Sequence, residues 1–227
     1  MEILRKARAR GLTFGNIASW ISLSLFTRLG GFFGTMRLFC KARCLGVRIG
    51  RRVRAHGPVG LLRWPGGEIR IGNDVSFISS WRRATACALA WPCRLRVFGP
   101  GAAIEIGDGC ELSGASITAR SRLIRLGRGV MLAPNCVIVD SDFHAPWPAA
   151  SRSANPGLER DAGVEIGDYA WIGMGTIILK GVHIGAGAII GAGSVVTRDV
   201  PANCVACGVP CRPRSTAGAN NGEVLDR

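Results

Sequence analysis

The chain has 227 residues, of which 48% are hydrophobic and 19% are charged, so it can bury a core and is not an intrinsically disordered chain. Its 32 glycines follow no three-residue period, which excludes collagen. The net charge of +14 is concentrated at one end, because residues 1–54 hold twelve Lys and Arg residues and a single acid, Glu2. The basic character therefore belongs to an N-terminal arm and not to the whole protein.

That arm, residues 1–45, is the first predicted element. Its uncharged stretch contains polar side chains, and Arg28 and three nearby glycines interrupt it before it reaches the roughly 20 apolar residues of a membrane span. No small-residue cleavage site of the kind that ends a signal peptide follows it. We predict a basic, aromatic-bearing helix with two roles open: it contacts an anionic membrane surface, or it packs on its own domain or a neighbouring subunit.

Residues 46–211 contain a repeat of the form apolar-x-apolar-Gly, seen first at 47–50, 69–72, 104–107 and 124–127. From residue 166 onward the period becomes strictly six, with a small or apolar residue two positions before each member. The members are Ile166, Ile172, Ile178, Ile184, Ile190 and Val196. A period of six does not fit a helix of 3.6 residues per turn.

The period has a direct structural interpretation. Two alternating inward positions make a short strand, and the glycine that follows lets the backbone turn. Three hexads close a triangle, so the 18 residues from Ile166 to Ile184 make one coil. Stacked coils bury a continuous apolar column, which predicts an all-β fold, a parallel β-helix. The end of such a solenoid exposes its core, so the arm has a third open role, that of covering the first coil.

Interruptions of the period indicate where loops leave the coils. Leu126, Leu132 and Ile138 keep the six-residue phase, which is then lost until Val164. We therefore predict an extruded loop at about 140–161, and loops of that length are usually functional. Residues 79–98 form a less regular stretch to which the sequence assigns no role. Residues 212–227 are predicted to form a polar C-terminal tail.

Nine cysteines are scattered without a disulfide-like framework, and the one CxxC, at 204–207, has no second CxxC and no histidine nearby. We expect free, reduced thiols in a cytoplasmic protein, at the inner face of the membrane if the arm binds there. No metal site is expected.

His144 is the histidine that falls inside the predicted loop, with Asp142 two residues before it. A neutral imidazole can take a proton from an alcohol near neutral pH, and a carboxylate can fix its tautomer. His183 lies between inward residues of a strand and His56 in a turn near the arm, so both are expected to have ordinary surface roles.

The hexad repeat and several local motifs together resemble the hexapeptide-repeat acyltransferases, in the branch of sugar and surface-polysaccharide O-acetyltransferases. The motifs are Asp-Ser-Asp-Phe-His at 140–144, Tyr-Ala-Trp-Ile-Gly at 169–173, Ile-Leu-Lys-Gly-Val-His-Ile-Gly at 178–185, Ile-Gly-Ala-Gly-Ser-Val-Val-Thr at 190–197, Val-Pro-Ala-Asn-Cys-Val at 200–205 and Gly-Val-Pro at 208–210. The resemblance implies a left-handed β-helix, a homotrimer, and acetyl-CoA as a co-substrate with no permanently bound cofactor.

The resemblance also implies roles for individual residues. His144 would be the general base that lets an acceptor hydroxyl attack the thioester directly, and Asp142, or else Asp140, would orient it. Arg152 and Asp140 are candidates for substrate contact, although Arg152 also reads as an ordinary solvated side chain. The implied CoA contacts are Trp171, Gly173, Ala192 and Arg198.

Three other functions compete with O-acetyl transfer. A metal-dependent lyase of the γ-carbonic anhydrase type uses the same coil, but it needs closely spaced histidines that His56, His144 and His183 do not provide. A nucleic-acid binder could use the basic arm, yet no binding module accompanies it. A scaffold without catalysis would leave the Asp/His loop without a purpose.

Overall fold

The computed structural model describes residues 11, 16–80, 82–84 and 86–216. Parts of the predicted arm (1–10 and 12–15), most of the predicted tail (217–227) and two residues of the irregular stretch (Trp81 and Thr85) lie outside the described residues. Within the described part, a helix α1 (Ile17–Cys44) precedes twenty short strands, β1–β20. No helix there combines the length and hydropathy needed to cross a bilayer.

The strands stack into the left-handed parallel β-helix that the repeat and the resemblance predict. Residues one coil apart lie side by side, as Ile166 and Ile184 do. The same spacing pairs Ile172 with Ile190. Each coil therefore contributes one strand to each of three sheets, and the sheets form the three faces of a prism.

The three sheets are defined by their strands in order along the column. The first sheet contains β1 (Arg48–Ile49), β4 (Glu68–Ile71), β7 (Ala103–Ile106), β10 (Leu123–Leu126), β13 (Val164–Ile166) and β16 (His183–Ile184). The second sheet contains β2 (Arg54–His56), β5 (Ser76–Ile78), β8 (Glu111–Ser113), β11 (Met131–Leu132), β14 (Trp171–Ile172), β17 (Ile189–Ile190), β19 (Cys204–Cys207) and β20 (Arg212–Thr216). The third sheet contains β3 (Gly60–Arg63), β6 (Arg94–Val97), β9 (Ser116–Ala119), β12 (Val137–Val139), β15 (Ile177–Ile178) and β18 (Val195–Val196).

The core is the column of inward side chains inside the prism. All six members of the strict period are buried, and so are the small or apolar residues two positions before them. Apolar surface removed from water is the main stabilising contribution, and a stack of identical coils removes it continuously along the axis.

Helix α1 packs on the N-terminal end of the prism. Leu38 and Ala42 are buried in the same core as the coils, so the helix covers the first coil. The approach is close at Gly34, where a Cβ atom would lie against the backbone of Gly57, 2.9 Å from its nitrogen. The hydroxyl oxygen of Thr35 accepts a hydrogen bond from the backbone N–H of Ala55 at 2.9 Å, which ties the helix to β2.

Two segments differ from the sequence prediction or extend it. The predicted tail begins as a strand, because Arg212–Thr216 form β20 and pair antiparallel with β19. The irregular stretch leaves the column after β5 and returns at β6. Asn135 holds it there: the side-chain amide accepts from the N–H of Ala90 at 2.9 Å and donates to the carbonyl of Ala88 at 3.0 Å.

Candidate active site

The extruded loop leaves the column after β12 and returns at β13, and it includes two short 3₁₀ turns, Ala149–Ser151 and Leu158–Arg160. Asp140 begins it. The Asp140 side chain is fully buried, and its carboxylate accepts three backbone N–H bonds, from Arg120 at 2.7 Å, Ser121 at 3.0 Å and Arg122 at 2.7 Å. The expectation that Asp140 contacts substrate is therefore wrong, because its oxygens are occupied in fixing the start of the loop to the preceding coil.

The end of the loop is fixed at the same place. The backbone N–H of Ala162 donates to the carbonyl of Asp140 at 3.0 Å, which brings the two ends of the loop together. The hydroxyl of Ser121 donates to the carboxylate of the buried Asp161 at 2.6 Å. The loop is thus closed at its base by the turn at 120–122.

His144 is exposed on this loop, and its ring is oriented by backbone. Nδ1 lies 3.0 Å from the carbonyl oxygen of Arg152. Since a carbonyl oxygen only accepts, this contact assigns the proton of the neutral ring to Nδ1 and leaves the lone pair of Nε2 for a substrate. The preceding residue, Phe143, has a φ of 66°, an uncommon conformation for a bulky residue, and its N–H donates to the hydroxyl of Ser141 at 2.8 Å.

Asp142 does not have the predicted role of orienting His144. Its carboxylate forms an ion pair with Lys180, Nζ to Oδ2 at 2.5 Å, and lies 3.9 Å from Nε of Arg160. Lys180 comes from the next coil, two residues after the end of β15. The carboxylate therefore ties the loop to the column, while the histidine takes its orientation from the other side of the loop.

Arg152 positions the ring through its carbonyl, a role that the sequence does not reveal. Its guanidinium donates to the carbonyl of Pro146 at 3.0 Å and so stiffens the segment between the two residues. The predicted contact between this guanidinium and a substrate stays a prediction.

His144 lines a cleft of about 520 Å³ between the loop and the column. Arg120 contributes both to its wall and to the loop: the guanidinium donates to the carbonyl of Pro156 at 3.0 Å and stacks 5.6 Å from the ring centroid of Phe143. Pockets that take small molecules are concave, mostly apolar and lined by a few polar groups, and this cleft fits that description.

Two aromatic residues on consecutive coils form the far wall of the cleft. Trp64 follows β3 and Phe98 follows β6, and their ring centroids are 6.3 Å apart. Both are exposed, by 54% and 36% respectively. Sequence reasoning missed this pair, although an exposed aromatic residue at the same position of two adjacent coils is a recognisable signal.

The four predicted CoA contacts do not gather around His144 within one chain. Trp171 lies on the outer face of the second sheet, whereas Gly173 and Ala192 stack on the edge where that sheet meets the third. Arg198 follows β18, on the same edge of the prism as the His144 loop but two coils further along. Their contact with CoA stays a prediction.

The other two histidines and two buried cysteine thiols lie outside the cleft, and their contacts are those of structural residues. His183 faces Glu165 on the first sheet, Nδ1 to Oε2 at 3.7 Å. His56 lies against Gly31 of α1; burial lowers its pKa, and nearby Arg83 and Arg54 lower it further. Burial raises the pKa of the Cys110 thiol to about 11 and that of Cys136 to about 12, so these inward thiols are not nucleophiles at neutral pH.

Comparisons with known proteins agree with this architecture. The family model described as "Bacterial transferase hexapeptide (six repeats)" matches residues 163–198. The galactoside O-acetyltransferase of Escherichia coli K12 is 35% identical over 129 residues, which are 57% of this chain and 62% of that protein. The galactoside O-acetyltransferase of Lactococcus lactis is 42% identical over 88 residues, 39% of this chain and 41% of that protein. The chain spans about half the length of the curated relatives it matches.

Among solved structures, the chain shares its fold with AntD, an N-acyltransferase from Bacillus cereus in complex with dTDP-4-amino-4,6-dideoxyglucose and coenzyme A. The TM-score is 0.58 at 18% sequence identity, over 78% of this chain and 87% of that one. Residues 163–198 therefore match the bacterial hexapeptide transferase repeat, and the chain is similar over part of its length to galactoside O-acetyltransferases.

Proposed function

We propose that this protein transfers an acetyl group from acetyl-CoA to a hydroxyl of a sugar or a surface-polysaccharide precursor, with His144 as the general base. The observation that carries the proposal is the ring of His144, exposed in the cleft with Nδ1 held 3.0 Å from the Arg152 carbonyl. The galactoside O-acetyltransferase relatives support the transfer of an acetyl group and a sugar as the acceptor class.

The reaction needs no covalent enzyme intermediate. Nε2 of His144 takes the proton of the acceptor hydroxyl as its oxygen attacks the thioester carbonyl carbon. The tetrahedral intermediate collapses with cleavage of the C–S bond, and the imidazolium returns its proton to the departing CoA sulfur. Direct attack is supported by the lining of the cleft, which includes no cysteine among the described residues, and by the hydroxyl of Ser121, which is engaged with Asp161.

We propose the cleft beside His144 as the acceptor site. Flat aromatic rings such as those of Trp64 and Phe98 suit the apolar face of a sugar ring, while Arg120 supplies hydrogen-bond donors at the wall. The contact of Arg152 with the acceptor belongs to the same proposal.

For the donor we propose a groove between subunits of a homotrimer, contacted by Trp171, Gly173, Ala192 and Arg198. The exposed side chains of Met131, Trp171 and Ile189 lie side by side on the second sheet, and they support an interface there. The positive charge of Arg198 would suit a CoA phosphate. The nine cysteines are free, which supports a reducing, cytoplasmic location.

Release of CoA from acetyl-CoA, measured with the full chain and a panel of nucleotide-linked and lipid-linked sugars, tests the proposal. We expect turnover with at least one acceptor and a loss of about 10²–10⁴-fold in kcat for His144→Ala, since that is the usual contribution of a general base. Asp142→Asn should retain much more activity than His144→Ala, because the carboxylate contacts Lys180 and not the ring.

His183→Ala is the matched control, because it removes an exposed histidine that lies on the first sheet and outside the cleft. It should have wild-type activity. Full activity in His144→Ala, or no turnover of acetyl-CoA with any acceptor of the panel, would show that the assignment of the base or of the reaction is wrong.

A further inference from the structure

Helix α1 has two different sides. The side that packs on the prism is a narrow stripe that includes Gly31, Gly34, Leu38 and Ala42. At about 100° per residue, the opposite side carries a row of large apolar residues, and all of them are exposed. They are Leu25, Leu29, Phe32, Phe33 and Met36. Further exposed apolar side chains lie elsewhere on the helix, at Trp20, Ile21, Leu23, Phe26 and Phe39. Together with the row they form an extended apolar surface of the kind that marks an interaction site.

The charges of the helix have a single sign. Its 28 residues include no acid, and Arg28 and Arg37 lie on the two flanks of the apolar side, one on each. Lys41 and Arg43 follow in the last turn. Apolar side chains bordered by long basic ones are typical of a helix that lies in a membrane interface, where the arginine stems cover apolar surface and the guanidinium groups reach the headgroups.

We propose that the outer side of α1 docks this protein on the surface of an anionic lipid bilayer, with the helix parallel to the membrane plane. The helix is about 42 Å long, and the close contacts at Gly34 and Thr35 hold it against the prism. It therefore presents its outer side as part of a rigid body. Phe32 and Phe33, exposed by 64% and 56%, lie at the centre of that side.

A second copy of the chain is a poorer occupant of the same surface. Two such helices face to face would bring Arg28 and Arg37 of each copy together, with no carboxylate on either helix to neutralise them. Like charges across an interface are unfavourable, whereas anionic headgroups attract each basic residue. The sign of the charge thus favours lipid over self-association.

Co-sedimentation of the full chain with phosphatidylcholine vesicles, with and without phosphatidylserine, tests this docking. We expect binding to the anionic vesicles and at least about tenfold weaker binding to the neutral ones. The double variants Phe32→Ser/Phe33→Ser and Arg28→Glu/Arg37→Glu should each weaken binding to the anionic vesicles by about tenfold or more.

Two controls match these changes. Leu62→Ser removes an exposed apolar side chain from the third sheet, and Arg214→Glu reverses an exposed charge at the far end of the column. Both should bind as the wild type does, and so should His144→Ala, because docking does not depend on catalysis. Equal affinity for both kinds of vesicle, unchanged binding in the two double variants, or a change in solution mass caused by Phe32→Ser/Phe33→Ser would overturn the proposal, the last by indicating a second copy.

Discussion

The first and second sheets are built from the same coils but present different outer surfaces. The outward column of the first sheet is charged, and each of its two acids, Glu105 and Glu165, lies beside basic residues of the neighbouring coils. Its members are Arg48, Arg70, Glu105, Arg125, Glu165 and His183. The corresponding column of the second sheet becomes apolar in its later coils, at Met131, Trp171 and Ile189.

The difference shows what the repeat determines and what it leaves free. The inward residues of both sheets are buried to the same extent, Ile166 and Ile172 being completely inaccessible. The fold therefore fixes the inward positions, because each strand must contribute to one core. The outward positions are free to meet another requirement, which is solubility on the first sheet and, as we propose, subunit contact on the second.

The largest expected effect tests the similarity of the inward columns. Ile166→Ala and Ile172→Ala should each lower the free energy of unfolding by about 2–5 kcal/mol, because each removes buried methyl groups and leaves a cavity. The two losses should be similar, since both side chains fill equivalent inward places in consecutive strands of two different sheets. Urea denaturation at equal protein concentration measures them, and a loss confined to one sheet would contradict equivalence.

A second prediction concerns the apolar outward column. If it forms the trimer interface, Trp171→Ala/Ile189→Ala should raise the dissociation constant by at least about 100-fold, because large apolar residues at the centre of an interface dominate its affinity. Light scattering across a dilution series would detect the change. Arg125→Ala, the matched change on the first sheet, should leave the mass unaltered, and a wild-type chain that is monomeric throughout would refute the interface.

The smallest effect concerns the charged column. Glu105 pairs with both Arg70, at 2.5 Å, and Arg125, at 3.0 Å, yet these pairs are accessible to water. Glu105→Gln should therefore change the free energy of unfolding by less than about 1 kcal/mol, and by still less in high salt. Urea denaturation at two salt concentrations measures this, and a loss comparable to that of Ile166→Ala would mean that the column is a structural element and not a solvated surface.

The sequence alone predicts the coils, because the shape of each coil is determined by residues that are close together in the chain. A strand of two inward residues followed by a glycine specifies its own shape, and the repetition specifies the stack. The loop was recognisable for the same reason, since the period stops at Ile138 and resumes at Val164. His144 was found because it is a histidine inside that interruption.

The partners of the loop residues were beyond sequence reasoning because they come from distant positions or from the backbone. Asp142 meets Lys180, 38 residues away, only because coil stacking brings the next turn beside the loop. The group that orients His144 is the carbonyl of Arg152, and a backbone carbonyl has no sequence signature. The motif suggests that Asp140 is a catalytic carboxylate. Only the structure shows that its side chain is buried and accepts hydrogen bonds from backbone amides.

The closed base of the loop has a consequence for how the proposed acceptor site can change. Since Asp140, Ala162 and the turn at 120–122 join both ends at one point, the two ends stay fixed when the length of the intervening segment changes. Doubling such a segment costs only about 0.6 kcal/mol in closure entropy. Segments exchanged between these two endpoints would reshape the cleft while the prism stays intact, so the loop offers a natural point at which to alter the acceptor site that we propose.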